Sequence, residues 1–348
     1  MNENFKLSVA SSPHASSPVA TRNLMLDVII ALMPALAIAI YFFGPRALTL
    51  TLVSVIGCEF FEWAYRKLLK LPSAVGDLSA VITGILLPFC CPVTMPYWQI
   101  LIGDFFAIVI VKQLFGGLGY NFLNPALAGR AFLFSYATDL TTWVVPLTHV
   151  GIGSTADIIT GPTPLKILEG EVTDMSLLPS LGNMFIGNHG GCYGEVSGLM
   201  LLIGGIYLVA RGVIRIRIPV AFMATVAVWA FLFPLGDFGH FQFMMYNLLG
   251  GGLFLGAIFM ATDYVTSPNT PKGEIIYGIG CGILTMLIRY FGSYPEGVSY
   301  GILIMNVCAW LIDTKCMPAR FGISKLDIKA AKLAEKEAKK KAKEEAAS

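Results

Sequence analysis

The strongest constraint on this chain is a series of ten apolar runs, each near the length at which a helix crosses a bilayer. They cover residues 24 to 43, 47 to 65, 74 to 94, 97 to 117, 122 to 138, 193 to 210, 217 to 235, 242 to 261, 274 to 292 and 297 to 314. About 20 helical residues cross about 30 Å of hydrocarbon. In that medium a backbone can satisfy its own N–H and C=O groups only as a helix or a closed barrel. Composition agrees: the 348 residues are 55% hydrophobic and 13% charged, with a mean hydropathy of +0.70. Soluble domains carry a charged fraction near ~25%. The expectation is therefore an all-α polytopic membrane protein of about ten transmembrane helices. The fifth run is short and carries Asn124, Pro125 and Arg130. It reads as a broken or re-entrant element, which is tolerated where protein covers the backbone.

Between these runs the chain divides into five parts. Residues 1–23 form a leader whose Ser/Pro-rich character does not fit a signal peptide. A first five-helix half spans 24–138, a loop 139–192, a second five-helix half 193–314 and a charged tail 315–348. Pro268 lies 176 positions after Pro92, and Phe291-Gly292 follows Phe115-Gly116 by the same shift. An odd number of spans per half requires the second copy to be inverted across the membrane. A chance alignment of Pro and Gly in loops would give the same echo.

Orientation follows from Lys and Arg, which are retained on the cytoplasmic side. With the N-terminus inside, eleven fall at inner ends and loops: Lys6, Arg22, Arg66, Lys67, Lys70, Lys112, Arg130, Arg211, Arg215, Arg217 and Lys272. The outer ones are three: Arg46, Lys166 and Arg289. Both termini are then expected in the cytoplasm, and the 139–192 loop outside. The Ala/Lys/Glu-rich tail reads as a solvated helix.

Intramembrane polar groups are costly and call for roles. Asp27, Glu59, Glu62 and Asp77 fall toward inner helix ends, within reach of headgroup water, and Asp104 lies in the outer part of the fourth run. Asn247 and Asn306 suit hydrogen bonding between helices. Thr83, Asn121, Asn124 and Asp263 are expected to gather toward one side, where their hydroxyl, amide and carboxylate groups would complement a flavin ring and its ribityl hydroxyls. A hydrogen-bonded network joining two broken helices would use the same groups. Cys58, Cys90, Cys91, Cys192, Cys281, Cys308 and Cys316 show no ferredoxin-like spacing. That argues against an iron–sulfur centre wholly within the chain, and adjacent Cys90 and Cys91 read as packing residues. No metal site, catalytic residue or nucleic-acid surface is expected.

The loop holds one Gly/Pro-punctuated motif, Thr160-Gly161-Pro162-Thr163-Pro164-Leu165. Its prolines constrain a turn from which the Thr163 hydroxyl should project, although Thr in such a turn is commonly just a turn residue. The motif resembles the flavinylation sequence of the family formed by the D subunit of Rnf electron-transport complexes and the B subunit of sodium-translocating NADH:quinone reductases. It departs from that pattern at Thr160, Pro162 and Lys166. Asn121-Phe122-Leu123-Asn124-Pro125-Ala126-Leu127, Ala261-Thr262-Asp263 and Ser12-Pro13-His14 are similar to further blocks of the same family, so the resemblance runs from Ser12 to about Asp313.

The resemblance implies FMN joined to Thr163 by a phosphoester, with Thr160, Gly161 and Pro162 forming the loop that carries it. It also implies a non-covalent riboflavin at Thr83, Asn121, Asn124 and Asp263. The corresponding function is a relay subunit, without independent catalysis, of an ion-translocating ferredoxin:NAD+ oxidoreductase in a prokaryotic inner membrane. Its partners would be iron–sulfur membrane subunits, an extracytoplasmic FMN-bearing subunit and membrane lipid. The alternative from another class is a cofactor-free channel or transporter for a small neutral solute.

Overall fold

A computed structural model describes residues 20–135, 143–147, 150–153, 160–168, 177–195, 197–236, 238–292 and 296–317. The Ser12-Pro13-His14 block and the Lys-rich tail lie outside these residues. Every one of the ten apolar runs contains a helix. The first half comprises α1 (Thr21–Phe43), α2 (Pro45–Leu68), α3 (Ser79–Phe89), α4 (Tyr97–Phe105) and α5 (Pro125–Phe134). Two short helices, α6 (Pro164–Leu168) and α7 (Leu181–Ile186), lie in the loop region. The second half comprises α8 (Gly198–Ala210), α9 (Arg217–Leu232), α10 (His240–Leu249), α11 (Leu253–Leu255), α12 (Pro271–Phe291) and α13 (Val298–Cys316). α4 continues as π-helical turns over Phe106–Gln113, and α11 does so over Gly256–Met260.

The elements are shorter than the apolar runs that encode them. Among the described residues, three helices are long and apolar enough to cross a membrane, and α10 with the α11 segment makes a fourth candidate bent by 62°. α3 has only 11 residues and α5 only 10. Pro88 and Pro92 stand at the end of α3, Pro125 fixes the start of α5, and Gly250 to Gly252 follow α10; side chains meet carbonyls near these breaks. Arg46 is buried and donates to Val93 O at 2.9 Å and Met95 O at 3.3 Å, past the end of α3. Arg289 is buried as well and donates to Asn247 O at 2.7 Å and Gly250 O at 3.1 Å, at the end of α10. Both arginines read as outer-loop charges in the sequence. They are internal caps of broken helices instead. The break after α10 turns through Gly251 and Gly252, with φ of 64° and 67°, a region glycine enters without steric penalty.

The two halves repeat one packing scheme. α2 packs on α3 and α4 as α9 packs on α10 and α12, and α5 contacts α4 as α13 contacts α12. Equivalent helices meet antiparallel. On α1 and α8, Asp27 accepts from Arg211 and Tyr207 while Ala31 abuts Gly204. On α5 and α13, Asn124 lies against Asn306 while Arg130, further along α5, donates to Ser299, nearer the start of α13. That is the relation inverted halves require, and the Pro/Phe-Gly echo marks α4 and α12, which occupy equivalent places. Many large apolar side chains point outward, among them Ile56 and Trp310 at 68% and 75% exposure, as a lipid-facing surface requires.

Small residues set the closest approaches. A Cβ at Gly204 would stand 2.2 Å from the carbonyl oxygen of Ala31, so backbone contact between α1 and α8 depends on glycine there. Gly204→Ala should lower stability by about 1–3 kcal/mol or more through this forced separation, read as a drop in the thermal midpoint of detergent-solubilised protein. Gly182→Ala, where a Cβ meets nothing within 4 Å, should leave that midpoint nearly unchanged.

Candidate functional site

An open cavity lies between the halves, lined by residues of both. Its walls are apolar, from Met25, Val28, Ile82, Leu86, Leu208, Ile258 and Phe259, with a few polar groups set among them. Thr83, Asn121, Asn124 and Asp263, four residues scattered over 181 positions of sequence, all line it. Two residues not expected there, Ser79 and Lys112, line it too.

The helix breaks bring these groups together. α3 begins beside the cavity, so Ser79 and Thr83 stand one turn apart, and Thr83 Oγ1 donates to Ser79 O at 3.2 Å. Asn124 is the N-cap of α5, where its Oδ1 accepts from Ala126 N at 3.1 Å and Leu127 N at 3.3 Å. Pro125 follows at the first helical position, where no N–H is needed. Asn124 Nδ2 donates to Met260 O at 3.3 Å, at the end of the π-helical stretch. Asn124 therefore serves the hydrogen-bonded network between broken elements that the sequence also allowed. Asp263 Oδ2 accepts from Thr266 Oγ1 at 3.1 Å.

Asn121 differs from these. It is 4% exposed and its Nδ2 donates to Leu123 O at 3.1 Å, but its Oδ1 is buried with no protein partner. A buried unpartnered acceptor is expensive, which makes it the natural seat for a ligand N–H. A flavin meets this donor set well. Its ring has an N–H flanked by two carbonyls, its ribityl chain carries hydroxyls, and its remaining face is aromatic. Asn121 could accept from the ring, Thr83 and Asp263 could bind hydroxyls, and the apolar walls could cover the rest.

Lys112 is 2% exposed and its ammonium lies 3.1 Å from Glu62 Oε1, with a 2.6 Å bond to Ser79 Oγ. Gln113 Nε2 donates to Glu62 Oε1 at 2.6 Å. Glu62 is thus a buried partner rather than a carboxylate reached by headgroup water. Lys112 and Arg130, counted in the sequence among inner basic charges, are internal, since Arg130 pairs with Glu296. Without the four buried cations Arg46, Lys112, Arg130 and Arg289, the sequence count is nine at the expected inner positions against Lys166 at the expected outer side. Asp104 is wholly buried, its Oδ1 accepting from Ser54 Oγ at 2.7 Å and from Cys58 Sγ at 3.3 Å, with no protein partner for Oδ2. Cys90 and Cys91 are buried in the core, as packing residues would be.

Thr163 does not line this cavity. Its segment is held by Gly161 N donating to Trp143 O at 3.0 Å and by an antiparallel bridge of Thr160 with Val144. The neighbouring Leu147 N and Val150 N donate to Phe42 O and Phe43 O, at the C-terminal end of α1. The cavity touches α1 at Met25 and Val28. Val28 and Phe42 are separated by about 20 Å along the helix axis. The Thr163 hydroxyl does not project as the turn suggested. The residue is 6% exposed, and its Oγ1 accepts from Lys166 N at 3.4 Å. Pro164 explains the difference: it starts α6, and Thr163 becomes the cap of that short helix. Pro162 and Gly161 precede it, and Leu165 packs over Gly251.

These features define a class first: a polytopic helical membrane protein with inverted halves and, between them, an apolar-walled cavity that carries a few polar groups. The chain belongs to the NQR2, RnfD, RnfE family, whose model matches residues 8–322. It is 47% identical to the D subunit of the Na(+)-translocating ferredoxin:NAD(+) oxidoreductase complex of Acetobacterium woodii, over 94% of this chain and 98% of that protein. It is 40% identical to the D subunit of the proton-translocating ferredoxin:NAD(+) oxidoreductase complex of Clostridium ljungdahlii, over 90% and 96%. A third relative, the D subunit of the ion-translocating oxidoreductase complex of Stutzerimonas stutzeri, is 37% identical over 86% and 92%.

Because Asn124 is a cap and Asn121 is not, their alanine variants should differ. Asn124→Ala should lose about 1–2 kcal/mol of stability, and Asn121→Ala distinctly less. Denaturant titration of the two in detergent checks this, and equal losses would remove the distinction.

Proposed function

We propose that this chain is the flavin-carrying membrane subunit of an ion-translocating ferredoxin:NAD+ oxidoreductase, relaying electrons within the complex. The observation that carries the reading is the cavity with the orphaned Asn121 carbonyl in its wall, in a chain nearly co-extensive with the D subunit of such complexes. Thr83, Asn121 and Asp263 would hold riboflavin there, with Asn124 fixing the start of α5 beside it. Flavin, when bound, supplies reversible storage of one or two electrons, which suits exchange with one-electron iron–sulfur partners. The residues of this chain orient it, cover its apolar face and limit its contact with water.

Thr163 would carry FMN through a phosphoester on Oγ1. An ester oxygen can still accept the Lys166 N–H bond, but the attached group must leave the buried side of α6. The space beneath α6 is small and lined mainly by Leu165, Leu168, Leu235 and Phe243, and the Arg289 guanidinium at its edge is engaged by Asn247 O and Gly250 O. The FMN ring would therefore sit outward, toward an extracytoplasmic FMN-bearing partner. With Arg211, Arg215 and Lys272 at the cavity end, that end would face the cytoplasm of a prokaryote, along with both termini. Iron–sulfur membrane subunits would bridge the two flavins. The relatives' names divide between Na+ and H+, and either ion is compatible with this chain. No separate observation favours a neutral-solute channel.

The test is flavin fluorescence in a denaturing gel, after expression with the flavin-attachment machinery. Wild type and Thr163→Ser should give a fluorescent band, and Thr163→Ala a dark one. A dark wild-type band, with the attachment enzyme shown to be active, would overturn the Thr163 assignment.

A further inference from the structure

The cavity has one cation in its wall, and the flavin reading makes no use of it. Lys112 reaches the cavity from the π-helical continuation of α4, with its ammonium fixed from two sides by Glu62 and by Ser79 Oγ. Glu62 does not line the cavity, whereas Lys112 does. Of the ion pair, the cationic residue is therefore the one at the ligand space, beside Ser79, which binds its ammonium and also lines the cavity. An ammonium has three N–H donors, and Glu62 and Ser79 leave capacity for one more acceptor. Ser79 is itself braced, its Oγ lying 2.5 Å from Asp77 Oδ1. Gln113 donates to Glu62 and accepts from Arg66 NH1 at 3.4 Å, so the carboxylate is held as well. Among the described residues the other charged group on the cavity is Asp263, engaged by Thr266.

A buried Lys–Glu pair is weak evidence for stability, because desolvation offsets the attraction. Its fixed orientation toward a ligand space points to recognition instead. We propose that Lys112 is the cationic group through which this cavity binds the carbonyl edge of a flavin, and that it favours the reduced, anionic ring over the oxidised one. The proposal rests on the flavin reading of the cavity. Two electrons and one proton convert the neutral oxidised ring to a monoanion whose charge lies on N1 and the adjacent carbonyl. A fixed ammonium is attracted more strongly to that anion than to the neutral ring, and low local dielectric enlarges the difference.

The test measures riboflavin affinity of the full-length chain in detergent by equilibrium dialysis. It is run once in air, and once under argon with dithionite as electron donor and buffer as proton source, above neutral pH. Wild type should bind the reduced form more tightly than the oxidised form. Lys112→Met should lose that preference by about tenfold or more, with a smaller change for the oxidised form. Lys112→Met leaves Glu62 buried without its cation, so the double variant Lys112→Met/Glu62→Leu, which removes both charges, is measured alongside. It should lose the same preference. Equal weakening of both forms, or none, in the double variant would overturn the role of Lys112 and leave the flavin reading standing. Absence of riboflavin binding to wild type in either state would overturn the flavin reading of the cavity and this inference with it.

Discussion

The fold depends on how carbonyls are satisfied where helices stop inside the bilayer. A helix ending in hydrocarbon leaves its last carbonyls without water, and each unmet group is costly. Arg289 meets this need at the end of α10, Gly194 N meets it at Phe89 O, the last carbonyl of α3, and Arg46 holds the carbonyls of the turn that follows α3. With those ends secured, the chain can stop two helices early and turn. The α10–α11 bend of 62° and the short α3 and α5 follow, and the space they leave is the cavity. The site is thus a by-product of broken helices, as in other membrane proteins with inverted halves.

The same breaks supply the chemistry. A continuous helix hides its backbone polar groups and spreads its side chains along one face. A helix that begins at mid-depth presents its first turn, with caps and loop residues beside it. Asn124 caps α5, Asn121 lies just before it, and Asp263 follows the π-helical stretch. The π-helical turns over Phe106–Gln113 place Lys112 at the cavity and against Glu62. Such turns are frequent at functional sites. At the other end of α1, the Trp143–Gly161 and Leu147–Phe42 bonds fasten the Thr163 segment to the helical body. Val28, at the cavity, and Phe42, which accepts from Leu147, are thus joined by one rigid helix and stand about 20 Å apart along it.

Much of this is legible in the sequence. Each of the ten apolar runs holds a helix among the described residues, since hydrophobic length is read directly from the sequence. Asn121 to Leu127 and Ala261 to Asp263 locate the cavity, because polar residues with Pro or Thr at the edge of apolar runs mark broken helices. Other features depend on pairing across the fold. Arg46, Lys112, Arg130 and Arg289 look like boundary charges when each is viewed with its own neighbours. Only the structure shows Glu62 against Lys112, fifty positions away, or Arg289 against Gly250. The signal available is opposite charges within separate apolar runs, a pattern with too many candidate pairings to resolve from one chain. The burial of the Thr163 hydroxyl escapes the sequence for a local reason. Pro164 looks like an end of structure, whereas a proline at the first position begins a helix and draws the preceding residue into a cap.

The central claim is that this chain carries two flavins by two different means. It is tested most directly by acid precipitation of the purified full-length protein, made with the attachment machinery present, and by assay of flavin in pellet and supernatant. The account predicts FMN retained in the pellet and riboflavin released to the supernatant, in equal amounts per chain. Flavin in neither fraction would contradict it.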